Sequence, residues 1–412
     1  MSQKSTLELI QSRKPRFAMD PEVYNSDVVY QDDLQYIWYA TWIFAGHTCE
    51  LKKAGSYMTL QIGDSPIVVV RDSDGEIRAY HNACAHRGHR ICTEERGHAA
   101  RLVCPYHRWT YDYKGGLVFA PNMGEGFDTK DFSLKPVHVG IAAGYIYVCL
   151  ADEAPDFENF KSSMEPFVNP HKPEKMKVAH MTTGIEEGNW KLVFENNREC
   201  YHCDSNHPEL LRSYEENNAV AGLDGDDDPE LIAFLDKCEA GGMPSRLVID
   251  NDGQFRMTRI PLSHGASSYT MDGKPAVKTM RTDDSGVDNI GALLYFHYPN
   301  TWNHWMGDHA ISFQMLPLGK NKTQLVTRWL VPEDAVEGVD YDLDHLTHVW
   351  IQTNAQDAAL VAECQIGTQS PGYQPGPYSD IEENGVCQFV DWYCDYMTKK
   401  LKPIIPLKTV AS

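Results

Sequence analysis

Between Tyr36 and Asp152 the apolar residues fall in short runs separated by turn signals. IWYATWIFAG (37–46), YMTLQIGD (57–64), PIVVVRD (66–72) and EIRAYHN (76–82) each have strand length, and Gly63-Asp64 and Ser73-Asp74-Gly75 interrupt them. TYDYKGGLVFAP (110–121), with its Gly115-Gly116 turn, and GYIYVCLAD (144–152) continue the pattern. Many short strands with tight turns predict a small antiparallel β domain over residues 36–153. Residues 1–35 are more polar, with apolar patches at Leu7–Ile10 and Val28–Tyr30, and predict an arm with a short helix that packs on the later domain. Residues 153–175 are acidic and carry Pro155, Pro166, Pro170 and Pro173, which reads as the crossing between domains. Beyond it the patterns mix. WKLVFENNRECYHC (190–203) predicts a helix and VAGLDGDDDPE (220–230) a Gly/Asp-rich loop. ALLYFHYPN (292–300), HAISFQMLPL (309–318) and TQLVTRWLV (323–331) predict long strands of one sheet, and LDHLTHVWIQTNAQDAALVAECQIG (343–367) a long helix. The expected class is α+β: a β domain, then residues 154–412 as a domain with a central antiparallel sheet flanked by helices.

Composition narrows this further. A chain of 412 residues fits two or three domains. No apolar run approaches the roughly 20 residues of a membrane helix, and MSQKSTLELIQSRKPRF has no apolar core of a secretory signal, so a cytoplasmic protein is expected. A formal charge of −21 argues against nucleic acid and anionic membrane as partners. It would favour a cationic substrate or the basic face of a redox partner, although solubility alone accounts for it. The eleven cysteines are odd in number and show no disulfide spacing. Those outside the motif below, Cys200 and Cys203 among them, are expected as reduced thiols.

The strongest chemical pattern lies in HNACAHRGHRICTEERGHAARLVCPYHRWTYDYKG (81–115). Cys84 and His86 form C-x-H, and Cys104 and His107 form C-x-x-H after a gap at 87–103. Two thiolates and two imidazoles suit a soft or borderline metal. A structural zinc would take such a set in a closed tetrahedron. Each loop here supplies one Cys and one His, whereas a usual zinc finger pairs like with like. That division suits a two-iron object gripped from both sides. The segment resembles the Rieske [2Fe–2S] signature, in which two His replace two Cys on one iron; Arg87-Gly88, Pro105-Tyr106 and Trp109 fit it too. The resemblance implies Cys84 and Cys104 on the buried iron and His86 and His107 on the outer one.

A second constellation is NWKLVFENNRECYHCDSNHPEL (189–210). Residues five apart on a helix diverge by about 140°, so His202 and His207 share a metal only if the helix breaks. Asp204-Ser205-Asn206 and Pro208 are plausible breakers, and Glu199 lies three before His202, on the same helical face. A non-haem Fe(II) site takes two His and one carboxylate on one face.

Together these motifs resemble the catalytic subunit of the Rieske non-haem iron oxygenases. The family's Tyr-His-x4-His pattern is matched by Tyr201-His202 and His207-Pro208, and its late Asn-x-x-Asp by Asn354-Ala355-Gln356-Asp357, followed by SPGYQPGPYS (370–379). The resemblance implies a catalytic domain like the START/Bet v1 helix-grip fold, with Fe(II) held by His202, His207 and Asp357; Glu363 is the fallback acid. It also implies a homotrimer in which Glu199 links His107 of the adjacent subunit to His202. Where the family has Asp, Glu199 resembles the branch that oxidises quaternary ammonium compounds. The implied activity is oxidative N-demethylation of a betaine to the N-methyl amino acid and formaldehyde. It would use O2 and electrons from a separate NAD(P)H-dependent flavin/iron–sulfur reductase. Stachydrine (proline betaine) is the favoured substrate, glycine betaine or carnitine the alternative, and aromatic-ring dihydroxylation the second alternative. Electron transfer alone, or a zinc scaffold, is the rival from another class. Quaternary ammoniums bind aromatic faces. Among Tyr201, Tyr295, Phe296, Tyr298, Trp302, Trp305, Phe313 and Trp329, the sequence reading selects Trp302 and Trp305 for the pocket. An Arg or His must meet the carboxylate, and the sequence singles out neither.

Overall fold

The computed structural model describes residues 4–214, 228–250, 252–278, 282 and 285–402. Residues 220–227 of the Gly/Asp-rich stretch lie outside the described residues. The chain begins with helices α1 (Thr6–Gln11), α2 (Pro21–Asn25) and α3 (Asp27–Asp33). Strands β1 (Ile43–His47), β2 (Ser56–Ile62), β3 (Ser65–Arg71), β4 (Ile77–His81) and β5 (Arg96–His98) follow. Then come β6 (Leu102–Val103), β7 (Thr110–Tyr111), β8 (Leu117–Phe119), β9 (Pro136–Ala142) and β10 (Tyr145–Cys149). One antiparallel sheet has the order β1-β10-β9-β4-β3-β2-β5, and a small one the order β6-β7-β8. After α4 (Glu158–Val168), the second half holds β11 (Met176–Glu186), α5 (Trp190–Asn197), α6 (Cys203–Asn206) and α7 (Pro229–Ala240). Strands β12 (Val248–Asp250), β13 (Phe255–Ile260), β14 (Ala292–His297), β15 (Thr301–Trp305), β16 (Ala310–Gly319) and β17 (Lys322–Pro332) come next. Helices α8 (Leu343–Thr368) and α9 (Asn384–Leu401) close the chain. The second large sheet runs β11-β17-β16-β15-β14-β13-β12, antiparallel throughout. The fold is α+β, and among the described residues no helix is long and apolar enough to cross a membrane.

The apolar run at 37–46 divides differently from its expectation. Leu34–Trp38 is a π-helical turn, and the strand begins only at Ile43. Trp38 is fully buried edge-on against Trp190, at 5.3 Å, so burial within a helix produced the run. The apolar pattern does not single out strands β5, β6, β9, β11, β12 and β13, nor β15, which buries the polar Asn303 and His304.

The two faces of the second large sheet have different partners. Side chains alternate across a strand. Phe255, Leu293, Tyr295 and Trp305 face Phe44, Tyr145 and Tyr147 of β1 and β10. Asn303 accepts from the Tyr145 hydroxyl at 3.0 Å, and that hydroxyl accepts from Trp305 Nε1 at 2.8 Å. Leu294, Phe296, Trp302 and Phe313 face the helical side with Phe194, Trp350 and Phe389. A fully buried ion pair, Asp33–Lys191, fixes the start of α5, and Asp33 also accepts from Trp190 Nε1 (3.1 Å) and the Tyr393 hydroxyl (2.8 Å). It thus ties α3, α5 and α9 together behind the site.

Candidate metal centres and the cavity between helix and sheet

The two Cys/His loops have one backbone design. The Cys84 N–H donates to His89 O (2.9 Å) and Cys84 O accepts from Gly88 N (2.8 Å). The Cys104 N–H donates to Trp109 O (2.8 Å) and Cys104 O accepts from Arg108 N (2.9 Å). Gly88 (φ +74°) and Arg108 (φ +60°) close the two turns in the left-handed region. Both thiols are buried, His86 is exposed and His107 half-buried. The imidazole Nδ1 atoms stand 3.2 Å apart. His86 stacks on Trp109 (4.8 Å, 12°) and His107 on Tyr106 (3.9 Å, 28°). Two sulfurs inside and two nitrogens at the rim fit a cluster with one thiolate-bound and one imidazole-bound iron. The Tyr111 hydroxyl lies 3.2 Å from Cys84 Sγ and accepts from Ala85 N at 3.0 Å. The sequence reading passed over Tyr111.

At the second centre the helix breaks as a shared metal requires. Helix α5 stops at Asn197, and the short α6 separates His202 from His207. Asp357 comes from α8. His202 Nε2, His207 Nε2 and Asp357 Oδ1 stand 2.9, 3.1 and 3.2 Å from one another. Cis ligands about 2.1 Å from one octahedral cation would be spaced by about 3.0 Å. Tautomers agree with this. His202 Nδ1 donates to Glu199 Oε1 (2.6 Å) and His207 Nδ1 to Gln356 Oε1 (2.8 Å). Both Nε2 atoms then present lone pairs to a carboxylate, an arrangement a cation would satisfy. Gln356 is in turn oriented by Glu209, to which its Nε2 donates at 3.0 Å.

Electrostatics at the triad favour positive charge. Burial opposes a charged His202, but hydrogen bonds to Asp357 and Glu199 outweigh it and lift the group to about 10 in the metal-free chain, where Nε2 carries a proton that a bound cation would displace to leave the lone pair. Burial pushes Asp357 up, yet the two imidazoles hold it below the usual carboxylate range. The expectation of reduced thiols fails at Cys200 and Cys203, which form a disulfide across the turn between Glu199 and His207. Their Cα atoms are 4.9 Å apart, within bridging range. Cys203 Sγ lies within 4.8 Å of the histidine donors but is engaged by Cys200, and Asp357 is the third donor at contact distance.

A small cavity of about 50 Å³ opens beside the triad, lined by His202, His207 and Asp357 together with Arg198, Arg256 and Phe296. Tyr214, His304 and Trp350 also line it. Burial lowers His304 to about 3, so its imidazole is neutral. Trp302 and Trp305 are not on this wall. They are three apart on one strand and so project from opposite faces. Trp305 is buried against Tyr145 and His171 on the face turned to the first sheet. Trp302 stacks on Phe313 (5.1 Å), abuts Phe194 (5.6 Å) and stands opposite Phe296 across the strand pair. Trp350 was missed although it precedes Asp357 by seven residues on α8, two helical turns along the same face.

Comparison with known proteins agrees with this geometry. The family described as "Ring hydroxylating alpha subunit (catalytic domain)" matches residues 172–399, and the "Rieske [2Fe-2S] domain" matches residues 41–137. A glycine betaine monooxygenase oxygenase subunit of Chromohalobacter salexigens is 43% identical over 411 residues, covering 98% of this chain and 91% of that protein. Its namesake in Pseudomonas aeruginosa is 42% identical over 408 residues, 97% and 94% of the respective chains. The crystal structure of the quaternary ammonium Rieske monooxygenase CntA in complex with L-carnitine has the same fold, with a TM-score of 0.71 at 20% identity, covering 96% of this chain and 100% of that one.

Proposed function

This chain belongs to the Rieske non-haem iron oxygenases, as a catalytic α subunit, and from that premise we propose that it N-demethylates glycine betaine. The observation that carries the substrate is the full-length similarity, at 42–43%, to two glycine betaine monooxygenase oxygenase subunits. It moves the favoured betaine from stachydrine to glycine betaine within the same chemical class. The cofactors are a Rieske [2Fe–2S] cluster and a mononuclear Fe(II). In this reading Cys84, Cys104, His86 and His107 hold the first, and His202, His207 and Asp357 the second.

Held by His202, His207 and Asp357, a mononuclear Fe(II) would supply O2 activation and hence an oxidant for a substrate C–H bond, and the cluster would supply the electrons. The chain's own residues set the geometry. Glu199 Oε1 holds the proton on His202 Nδ1, and Gln356 Oε1 the proton on His207 Nδ1, so both rings turn unprotonated nitrogens inward. Tyr214, Phe296 and Trp350 offer aromatic faces to a trimethylammonium group. Hydroxylation of one N-methyl carbon gives a hemiaminal, which splits to formaldehyde and the tertiary amine.

The electron path runs between subunits of a homotrimer in this reading. Tyr106, beside His107, is 52% exposed and Tyr201, beside Glu199, 61% exposed. Exposed aromatics at both ends support contact between His107 of one subunit and Glu199 of the next. A separate NAD(P)H-dependent flavin/iron–sulfur reductase supplies the electrons.

The test is turnover by anaerobically purified protein, given electrons and then O2 with glycine betaine, stachydrine, L-carnitine or naphthalene. Formaldehyde with dimethylglycine from glycine betaine is the expected result. Formaldehyde from stachydrine alone would change the betaine, and a diol from naphthalene without formaldehyde would overturn the substrate class. Asp357→Ala is expected to lose the mononuclear iron while keeping the cluster's visible absorption.

A further inference from the structure

We propose that Arg198 and Arg256 form the subsite that holds the substrate's carboxylate, so that the enzyme selects a zwitterion over a plain cation. The inference rests on the betaine reading and supplies the partner that reading lacks for the anionic end.

Both side chains line the cavity that the iron-binding triad borders. They come from separate elements, Arg198 from the C-terminal cap of α5 and Arg256 from β13. Both are buried, at 5% and 3% exposure. They lie side by side, since the single oxygen Oε1 of Gln388 accepts from Arg198 Nη2 at 3.2 Å and from Arg256 Nη1 at 3.0 Å. The helix that carries Gln388 presses close. A Cβ at Gly385 would stand 2.2 Å from the Arg198 carbonyl oxygen.

Among the described residues no carboxylate pairs with either guanidinium. Arg198 Nε donates to the Tyr298 hydroxyl at 3.1 Å, and its guanidinium covers the Phe296 ring at 4.1 Å. The buried Nε of Arg256 has no hydrogen-bond partner. Burial, and then the charge of Arg198, lowers Arg256 to about 9. Two adjacent buried cations are costly without an anion, and the guanidinium keeps its proton where other bases would lose theirs. The neighbouring groups do not supply the anion, since burial raises the Tyr214 phenol to about 12 and keeps His304 neutral.

A planar carboxylate suits this vacancy in charge, because two oxygens can accept from the forks of both guanidiniums. His304 is the weaker candidate, as a neutral imidazole offers one donor and no charge. The triad, the two arginines, Tyr214, Phe296 and Trp350 all line this one cavity. A betaine anchored by its carboxylate on the arginines therefore keeps its trimethylammonium group in the space that the triad borders. A trimethylammonium alcohol has the cationic end without the anchor.

Isothermal titration of the anaerobic holoenzyme with glycine betaine, choline and acetate tests this, alongside formaldehyde assays. Wild type is expected to prefer glycine betaine over choline by about 30-fold or more. In Arg256→Met that preference should fall to roughly threefold, with Arg256→Lys in between, and acetate binding should weaken in parallel. Equal affinity of wild type for betaine and choline would overturn the proposal. So would an Arg256→Met variant, with iron content and melting temperature retained, that weakens both ligands equally. If no betaine is turned over but acetate binding still depends on Arg256, the anion site stands and the betaine reading falls.

Discussion

His202 donates its Nδ1–H to Glu199 Oε1 at 2.6 Å, while the backbone N–H of His202 approaches the other carboxylate oxygen at 3.3 Å. The carboxylate therefore orients the ring, and in the proposed reading it stands behind a nitrogen that would hold the iron and on the path of electrons from a neighbouring subunit's cluster. Glu199→Ala is expected to cost about 10–100-fold in formaldehyde production, and saturating Fe(II) should not restore it. Glu199→Gln keeps an acceptor oxygen for the ring and should lose less iron affinity than Ala. Rates in Glu199→Ala equal to wild type at full iron loading would exclude both roles.

Tyr111 touches the cluster end in the same indirect way. Its oxygen accepts from Ala85 N, which leaves the hydroxyl proton for Cys84 Sγ at 3.2 Å. A donor to a ligand sulfur stabilises the added electron of the reduced cluster. Tyr111→Phe should lower the reduction potential, on the order of tens of millivolts, with the visible spectrum of the oxidised cluster preserved. A redox titration of the two proteins reads the shift, and an unchanged or raised potential would refute the hydrogen bond.

The candidate metal donors could be named from the sequence because their chemistry is carried by residue type and spacing. Cys84, His86, Cys104 and His107 are close in sequence, and Asp357 is the one acid between Val349 and Val361. The cavity walls were not legible, because they depend on which face a strand presents and on contacts between distant elements. Trp302 and Trp305 look equivalent as aromatics, yet strand alternation separates them, and Trp302 is then covered by Phe194 and Phe313. Arg198 sits beside Glu199 in the sequence, but its partner Arg256 is brought to it only by β13 and the Gln388 contact. The Cys200–Cys203 bond was hidden by a composition that otherwise reads as reduced. The stretch at 37–42 misled because a π-helical turn and a strand bury equally apolar residues.

Helical phase makes a specific claim about Trp350. With Thr353 it precedes Asp357 on the inner face of α8, and it packs between His304 (4.8 Å) and Phe313 (4.9 Å) at the cavity wall. An aromatic face there contributes about 0.5–2 kcal/mol to holding a quaternary ammonium. Trp350→Leu should raise KM for glycine betaine by up to about 30-fold with a smaller change in kcat. Trp305→Leu should instead lower the melting temperature and leave KM close to wild type, since its indole hydrogen-bonds Tyr145 between the sheets. Steady-state kinetics and thermal melts of the two variants separate the roles, and the reverse pattern would restore Trp305 to the pocket.

Glu186 gives the fold a pH dependence of its own. Its side chain is buried on β11, and Oε2 has no hydrogen-bond partner. Burial, and then the charge of Asp357, raises its carboxyl from 4.5 to about 8. The folded chain therefore holds a proton there that the unfolded chain releases above about 4.5. Stability from this group is fully present below pH 4.5 and is lost as the pH climbs through about 8. The effect is on the order of a few kcal/mol and belongs to the metal-free chain, because a cation on Asp357 would relieve the repulsion. Urea unfolding of metal-free protein at pH 5 and pH 8 should show wild type losing stability over that interval. Glu186→Gln should lose markedly less and be the more stable protein at pH 8. Equal losses in both proteins would place the pH dependence on other groups.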